Sequence, residues 1–280
     1  MSQLMHMRQR IQAVQTIKKI THAMRLISMS THSRMKHQEQ PLTIYQNTIR
    51  DLMQKIGKIS KNCSNELLFP TDKQNEHALV ILVGSQKGLC GNFNTMLMQQ
   101  FNLYAKKHPA FSLITVGKRA TQLAMPKYRA HIIAEYDTFG LHNLLPVAQK
   151  ILAHITAQTK YGSVRIISNT APSFFTQKPH IHQIIPAKHD DTSPMHEIDY
   201  DIEQPAQAIC DKLTELYLLS HIQYALFQSL LAEHASRFIS MDSSTRNADT
   251  MLEQLRLDYN KLRQANITRE LTELSAFFLQ

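Results

Sequence analysis

No glycine and no proline stands between residue 206 and the end of the chain at residue 280. A run that long without a breaker can be a single helix, and its apolar spacing decides which kind. Leu231, His234, Phe238, Met241, Thr245, Ala248, Leu252, Leu255, Tyr259 and Leu262 recur at alternating intervals of three and four. A 3.5-residue repeat kept this long is a coiled-coil seam rather than the wider stripe of an ordinary amphipathic helix. Such a seam needs a second helix to cover it. Taken from about 205 to 279, the helix would reach roughly 110 Å at the helical rise. Pro205 suits its first turn. His234 and Thr245 read as polar positions that set register rather than as ligands.

The covering helix is expected at the other end of the chain. From residue 1 to 56 the one breaker is Pro41. Leu4, Met7, Ile11 and Val14 form one apolar run, and Ile17, Ile20, Met24 and Ile27 form another, shifted in phase. A short step between the two runs would locally overwind a supercoil. Pro41 predicts a bend or interruption near Gln40, and a second reading has it separate two distinct helices.

The middle is different. All seven glycines lie between Gly57 and Gly162, and nine of the ten prolines between Pro70 and Pro205. Ala78–Val83, Phe111–Val116 and Val164–Ile167 are short apolar runs, two of them ending at a glycine, which reads as buried strands of a parallel sheet. Residues 92–107 and 142–158 read as the helices between them. Residues 186–204 read as a polar loop. The expected fold is therefore α/β plus a long antiparallel coiled coil, with terminal helices flanking a Rossmann-like domain. The expected divisions are an N-terminal helix over 1–56, the α/β domain over 76–195 and a C-terminal helix over 205–280.

Two long helices of unequal length have a mechanical consequence. If both leave the middle domain on one side, the last extends past the first by about nineteen residues, or roughly 28 Å. Its end, Leu274-Ser275-Ala276-Phe277-Phe278-Leu279, is apolar, and an apolar helix end needs shelter from something outside the chain. The pattern is that of a shaft whose end is received in another protein.

Hydrophobic residues make up 43% of the chain and charged residues 19%, which argues for a packed core and against general disorder. No stretch of 18 apolar residues is present and no apolar run follows a basic head near residue 1, so neither a membrane span nor a secretory leader is expected. Cys63, Cys90 and Cys210 are scattered, without a CxxC pair, which fits a reducing compartment. The net charge of +9 is uneven. Residues 1–40 carry seven bases, Arg8, Arg10, Lys18, Lys19, Arg25, Arg34 and Lys36, against the single acid Glu39. A basic helix suits nucleic acid, an anionic membrane or an acidic protein, and composition does not choose among them.

No catalytic constellation and no cofactor motif is found. Gly84-Ser-Gln-Lys-Gly88-Leu-Cys-Gly91 follows a strand, yet it matches neither GxxxxGK[ST] nor GxGxxG, so a tight turn is the expected role. His180, His182 and His189 would make only a weak metal site, and solvated histidines are the expectation. Asp190-Asp191 lacks the second carboxylate cluster that Ca²⁺ or Mg²⁺ would use. Cys90 is expected to be a small buried side chain rather than a nucleophile.

Three segments resemble one family. Residues 8–24, Arg-Gln-Arg-Ile-Gln-Ala-Val-Gln-Thr-Ile-Lys-Lys-Ile-Thr-His-Ala-Met, are similar to the start of the gamma subunit of F-type ATP synthases. Gly88-Leu-Cys-Gly91-Asn-Phe-Asn94 resembles its GLCGxxN turn. The strongest likeness is Ala235-Ser-Arg-Phe-Ile-Ser-Met241 followed by Tyr259-Asn-Lys-Leu-Arg-Gln-Ala-Asn-Ile-Thr-Arg-Glu-Leu-Thr-Glu273. The resemblance implies a non-catalytic central stalk without a cofactor or metal. Its coiled coil would sit inside a ring of alpha and beta subunits, with its α/β domain and a foot near 196–208 on epsilon and the membrane c ring. Ion flow would turn it, forcing each beta site through its states, at the cytoplasmic side of a bacterial membrane. Carried over by position, Arg263 and Gln264 match the pair facing a loop of beta, Thr268 and Glu270 match nearby positions, and Lys18, Lys19 and Met24 face beta from the first helix. Arg25 stands where the family usually has an acid, and Ser28–Arg34 replaces its small-residue and lysine stretch. These departures suggest a divergent paralogue from a second ATP synthase set. Gamma does not select the ion, so H⁺ and Na⁺ coupling are equally compatible with it. A basic coiled-coil adaptor on nucleic acid is the alternative, and an enzyme built on the α/β domain a distant third.

Overall fold

The computed structural model describes residues 2–59, 77–157, 161–187 and 205–278. The order of elements is α1 (Ser2–Ile59), β1 (Ala78–Val83), α2 (Phe93–Lys107), β2 (Phe111–Val116), α3 (Lys118–Tyr128), β3 (Ile132–Tyr136), α4 (Leu144–Ala157), β4 (Ser163–Ser173), β5 (Thr176–Ile185) and α5 (Ala206–Phe278). Cys63, the loop of 188–204 with His189, Asp190 and Asp191, and most of the foot near 196–208 lie outside the described residues. So do the side chains of Ala276, Phe277 and Phe278. The chain falls into two units, residues 31–236 and residues 1–30 with 237–280.

In the first unit β1 is the central strand of a five-stranded sheet ordered β3-β2-β1-β4-β5. All six residues of β1 are buried because both faces of the sheet are covered. Alternate residues serve alternate sides. Ala78, Val80 and Leu82 meet α2 and α3 through Leu97, Phe101, Ala120 and Ala124. Leu79, Ile81 and Val83 belong to a larger core with Val147, Ile151 and Ile155 of α4, Met35 and Ile49 of α1, and Leu218, Ile222 and Leu226 of α5.

Three features correct the expectation from sequence. The sheet is mixed: β1, β2, β3 and β4 run parallel, and β5 pairs antiparallel with β4. The two residues between those strands, Phe174 and Phe175, allow a hairpin, whereas a parallel crossover needs a dozen or more residues. Second, α1 runs through Pro41 as one helix. Proline removes one backbone bond, but Met35 and Ile49 anchor the helix in the core on either side of it. Third, Cys90 is free and buried while Cys210 is disulfide-bonded, so the expected set of reduced thiols holds only for Cys90.

In the second unit α1 and α5 pair antiparallel. Val14 packs with Ala248, Leu252 and Leu255, flanked by Met7 and Ile11. Further along, the seam turns polar. Thr21 Oγ1 lies 2.9 Å from Thr245 Oγ1, and Arg25 Nη1 donates to Asp242 Oδ1 at 2.7 Å. Lys18 pairs with Asp249, and Arg8 Nε donates to the Tyr259 hydroxyl at 2.7 Å. Each step along α1 is matched by one step back along α5, without slip. The seam of α1 is thus Met7, Ile11, Val14, Lys18, Thr21, Arg25 and Ser28, one unbroken 3.5-residue repeat. The phase step expected after Val14 is absent. Ile17, Ile20 and Ile27 form a second stripe on the outward side, 52%, 54% and 58% exposed.

Candidate functional site

Sheets of this order bind ligands beyond the strand ends where the order reverses, here between β1 and β4. The loop after β1 occupies that place. Asn94 at the head of α2 fastens it: its Oδ1 accepts from the Ser85 N–H at 3.0 Å, and its Nδ2 donates to Ser85 Oγ at 2.8 Å. Leu89 and Gly91 take left-handed backbone, at φ 64° and 55°. Gly117 opposite has φ 94°, and a Cβ there would lie 2.4 Å from the Gly84 carbonyl oxygen. Two loops this close require glycine. The loop then grips a helix rather than a ligand. Ser236 Oγ of α5 donates to the Cys90 carbonyl at 2.8 Å, and Ala232 packs on Cys90 and Phe93. From β4, Asn169 Nδ2 donates to the Phe93 carbonyl at 3.0 Å. The chain's own helix α5 therefore packs on the loop at this place, which gives the GLCGxxN turn a structural role.

The residues singled out for partner contact all lie in the helical unit. On α5, Arg263, Gln264, Thr268 and Glu270 are exposed. The Thr268 hydroxyl donates back to the Gln264 carbonyl at 3.0 Å, and Arg263 makes no hydrogen bond or ion pair with a described residue. On α1, Lys19 is exposed and Met24 half-buried, beside the outward isoleucines. Lys18 differs from its neighbour: it sits at the seam edge on Asp249, its side chain 40% exposed. By the register above, Ser2 lies beside Ala265. The residues of α5 beyond that have no α1 beside them, a reach of about 20 Å rather than the 28 Å expected. On this stretch Ile267, Leu271 and Leu274 are 48%, 61% and 57% exposed.

Sequence reasoning missed two things. The first is the outward stripe, whose spacing was legible but whose side of the helix was not. The second is the set of acids Asp242 and Asp249 that receive Arg25 and Lys18. Arg25, the departure from the family pattern, points inward; Asp242 also takes Arg246 Nη2 at 2.8 Å. Of the seven N-terminal bases, Arg8, Lys18, Arg25 and Lys36 are engaged with Tyr259, Asp249, Asp242 and Glu39 of the same chain, which leaves less basic surface for nucleic acid.

The comparisons with known proteins agree along the whole length. A family model described as ATP synthase matches residues 3–276. The ATP synthase gamma chain of Rickettsia akari (strain Hartford) is 32% identical, covering 99% of this chain and 98% of its own. That of Rickettsia bellii (strain RML369-C) is 31% identical with the same coverage. Among solved structures, the rotor of the Euglena gracilis mitochondrial ATP synthase superposes with a TM-score of 0.65 at 14% identity, over 95% of this chain and 99% of that one. The central stalk and c-ring structure from Tetrahymena thermophila gives 0.61 at 18% identity, over 80% and 98%. The chain, with its antiparallel helix pair and its α/β unit, thus belongs to the gamma-chain family of the F-type ATP synthases, the non-catalytic rotor subunit that couples rotation to the catalytic sites.

Proposed function

We propose that the free end of α5 and the outward stripe of α1 are received inside a ring of alpha and beta subunits. Arg263, Gln264, Thr268 and Glu270 on α5, with Lys18, Lys19 and Met24 on α1, then face beta. The observation that carries this reading is the row of large apolar side chains left in water on both helices, Ile17, Ile20 and Ile27 on one and Ile267, Leu271 and Leu274 on the other. Rows of large exposed apolar side chains on a folded chain mark docking faces. An asymmetric helix pair presents its apolar rows and its charged faces to different beta subunits, so turning the pair changes what each catalytic site meets. The remaining bases of α1 suit acidic loops of the ring, where complementary charge guides assembly.

The foot near 196–208 and the α/β unit meet epsilon and the c ring, and the whole is peripheral at the cytoplasmic side of a bacterial membrane. No helix among the described residues is long and apolar enough to cross one. The organisation into an N-terminal helix over 1–56, an α/β domain over 76–195 and a C-terminal helix over 205–280 follows the same logic of shaft, base and tip.

The test is co-expression with the alpha and beta subunits of the same organism. The chain is expected in stoichiometric complex with both. Arg263→Ala combined with Gln264→Ala is expected to lower coupled ATP synthesis severalfold while the complex still assembles. A stable monomer without affinity for alpha and beta overturns the reading, and unchanged coupling in the double variant overturns the contact assignment.

A further inference from the structure

The sheet and its helices carry as much positive charge as the whole chain. From residue 77 to residue 134 there is no aspartate or glutamate, against seven lysines and arginines. Over 77–187 eleven such bases stand against Glu135 and Asp137 alone, an excess equal to the net charge of the full sequence, +9. The fold gathers part of this excess. α2 and α3 run against the parallel strands, so their last turns lie at the edge of the sheet where β2 and β3 begin. Lys106 and Lys107 end α2, Lys127 ends α3, and Arg129 follows in the turn before β3. The two helix ends are fastened together. The Tyr128 hydroxyl donates to Asn102 Oδ1 at 2.7 Å, its ring centroid lies 4.9 Å from that of Phe101, and His131 Nδ1 donates to the Phe111 carbonyl at 2.9 Å. Glu135 and Asp137 lie at the far end of β3, where the Asp137 carbonyl accepts from the Lys118 N–H at 3.1 Å.

Lys106, Lys107, Lys127 and Arg129 are all exposed, and none makes an ion pair or side-chain hydrogen bond with a described residue. Lys127 Nζ lies over the Tyr128 ring, 5.2 Å from its centroid. Bases in the last turn of a helix offset its dipole, which accounts for each of the three lysines taken singly. It does not account for Arg129 beyond the helix, nor for the lack of any acid beside the four among the described residues. Leu103 and Leu123 are exposed and stand four residues before Lys107 and Lys127. Each helix thus sets a large apolar side chain beside a lysine on one outward face. β5 ends at this edge as well, with Ile185 opposite Val164 at the start of β4, so the chain leaves the sheet here for the foot near 196–208.

We propose that this edge of the α/β unit docks on anionic phospholipid headgroups, the four bases meeting phosphates while Leu103 and Leu123 rest on the boundary beneath them. The inference rests on the reading that places the α/β unit beside the membrane c ring. Clustered lysines attract an anionic leaflet over about a Debye length, ~8 Å at physiological salt, and need no fixed geometry to do so. A protein partner favours arginine and aromatic anchors, and lysine is depleted at such interfaces. This edge has three lysines to one arginine and no exposed Phe or Tyr among its described residues. Nucleic acid is held by stacking aromatics and helix N-termini, whereas this edge presents helix C-termini. Headgroups are interchangeable, so a rotor can turn over them and keep its charge contact.

The experiment floats the full-length chain with vesicles of phosphatidylglycerol and phosphatidylcholine, and with phosphatidylcholine alone. Binding is expected to the mixed vesicles and not to the neutral ones, and to weaken as salt rises. Lys106→Gln, Lys107→Gln, Lys127→Gln and Arg129→Gln combined are expected to weaken it on the order of a hundredfold. The same charge removed elsewhere on the unit, by Lys118→Gln, Arg119→Gln, Lys150→Gln and Lys178→Gln combined, is expected to weaken it by no more than about threefold. All eight side chains are exposed, and both variants are expected to melt with the parent. Equal losses in the two variants, or full binding in the first, overturn the proposal. So does a parent chain that ignores both kinds of vesicle. So does a water-soluble carbodiimide that joins these lysines to carboxylates of this chain or of a co-purified subunit, which assigns the edge to a protein contact. Recovery with alpha and beta is expected to be the same in both variants, so a failure here leaves the rotor reading standing.

Discussion

The two units of this chain solve the problem of burial in opposite ways. In residues 31–236 the central strands of the sheet are dry on both sides, and Leu79, Ile81, Leu97, Phe101, Leu113, Ile114 and Ile151 are fully or almost fully buried. In the helical unit the buried apolar set is small, Val14, Met241, Ala248, Leu252 and Leu255 among the described residues, and much of the seam is threonine, serine and ion pairs. The same unit leaves isoleucines and leucines in water. A domain that must stand by itself puts its apolar area inside. A shaft that works inside a partner can carry apolar area on its outer side and hold its helices in register with polar contacts. Polar seam residues give up stability for a defined register. They also leave the helix pair easier to part than the α/β core.

Substitutions can break that contrast or sharpen it. The largest effect is expected in the α/β unit. Phe101 is fully buried, with ring centroids of Tyr128 at 4.9 Å and Phe111 at 5.8 Å. Phe101→Ala should cost about 3–5 kcal/mol in denaturant melts, and Leu252→Ala in the seam about 2 kcal/mol. Hydrogen exchange should place the second loss in residues 1–30 and 237–280 alone. Equal losses, or a loss spread over both units, would erase the distinction. Arg25→Ala should cost about 1 kcal/mol, since both partners of its pair are about three-quarters covered. Arg25→Glu should be worse, because it sets a like charge against Asp242. A melt of Arg25→Glu matching the parent would show that the pair does not set register. The smallest effect on stability belongs to the outward stripe. Serine at Ile17, Ile20 and Ile27 together should move the isolated chain by about 0.5 kcal/mol or less per site. The same triple variant should reduce recovery with alpha and beta severalfold in the co-expression assay. A triple variant that assembles normally removes the docking role from that face.

Much of this was legible in the residues. Ala78–Val83 and Phe111–Val116 were readable to the residue because fully buried strands are continuous apolar runs closed by glycine. The strand β3 was not, because only one of its faces is covered, and β5 was not, because it is a hairpin edge carrying His180 and His182 toward a polar cavity. An edge strand with one wet face has the composition of a loop. Among partner-facing candidates, the exposure of Lys19, Arg263, Gln264, Thr268 and Glu270 agrees with a docking role. Lys18, one position from Lys19, sits at the seam edge on Asp249 with its side chain 40% exposed, and spacing in one helix does not give that difference.

By itself the sequence determined the architecture: a breaker-free run with a 3.5-residue repeat can only be a long paired helix, and alternating apolar runs and glycines can only be a layered α/β unit. Both are local statements, settled by backbone freedom and side-chain period. The tertiary structure decided the rest: that the outward isoleucines are surface and the threonines seam, that Arg25 has its acid on α5, that α5 packs on the loop after β1, and that His180 and His182 share one cavity with the distant His221. Each of these depends on two segments meeting at one rotation about their axes. That rotation is set by the sum of weak contacts along both partners, which neither segment carries alone.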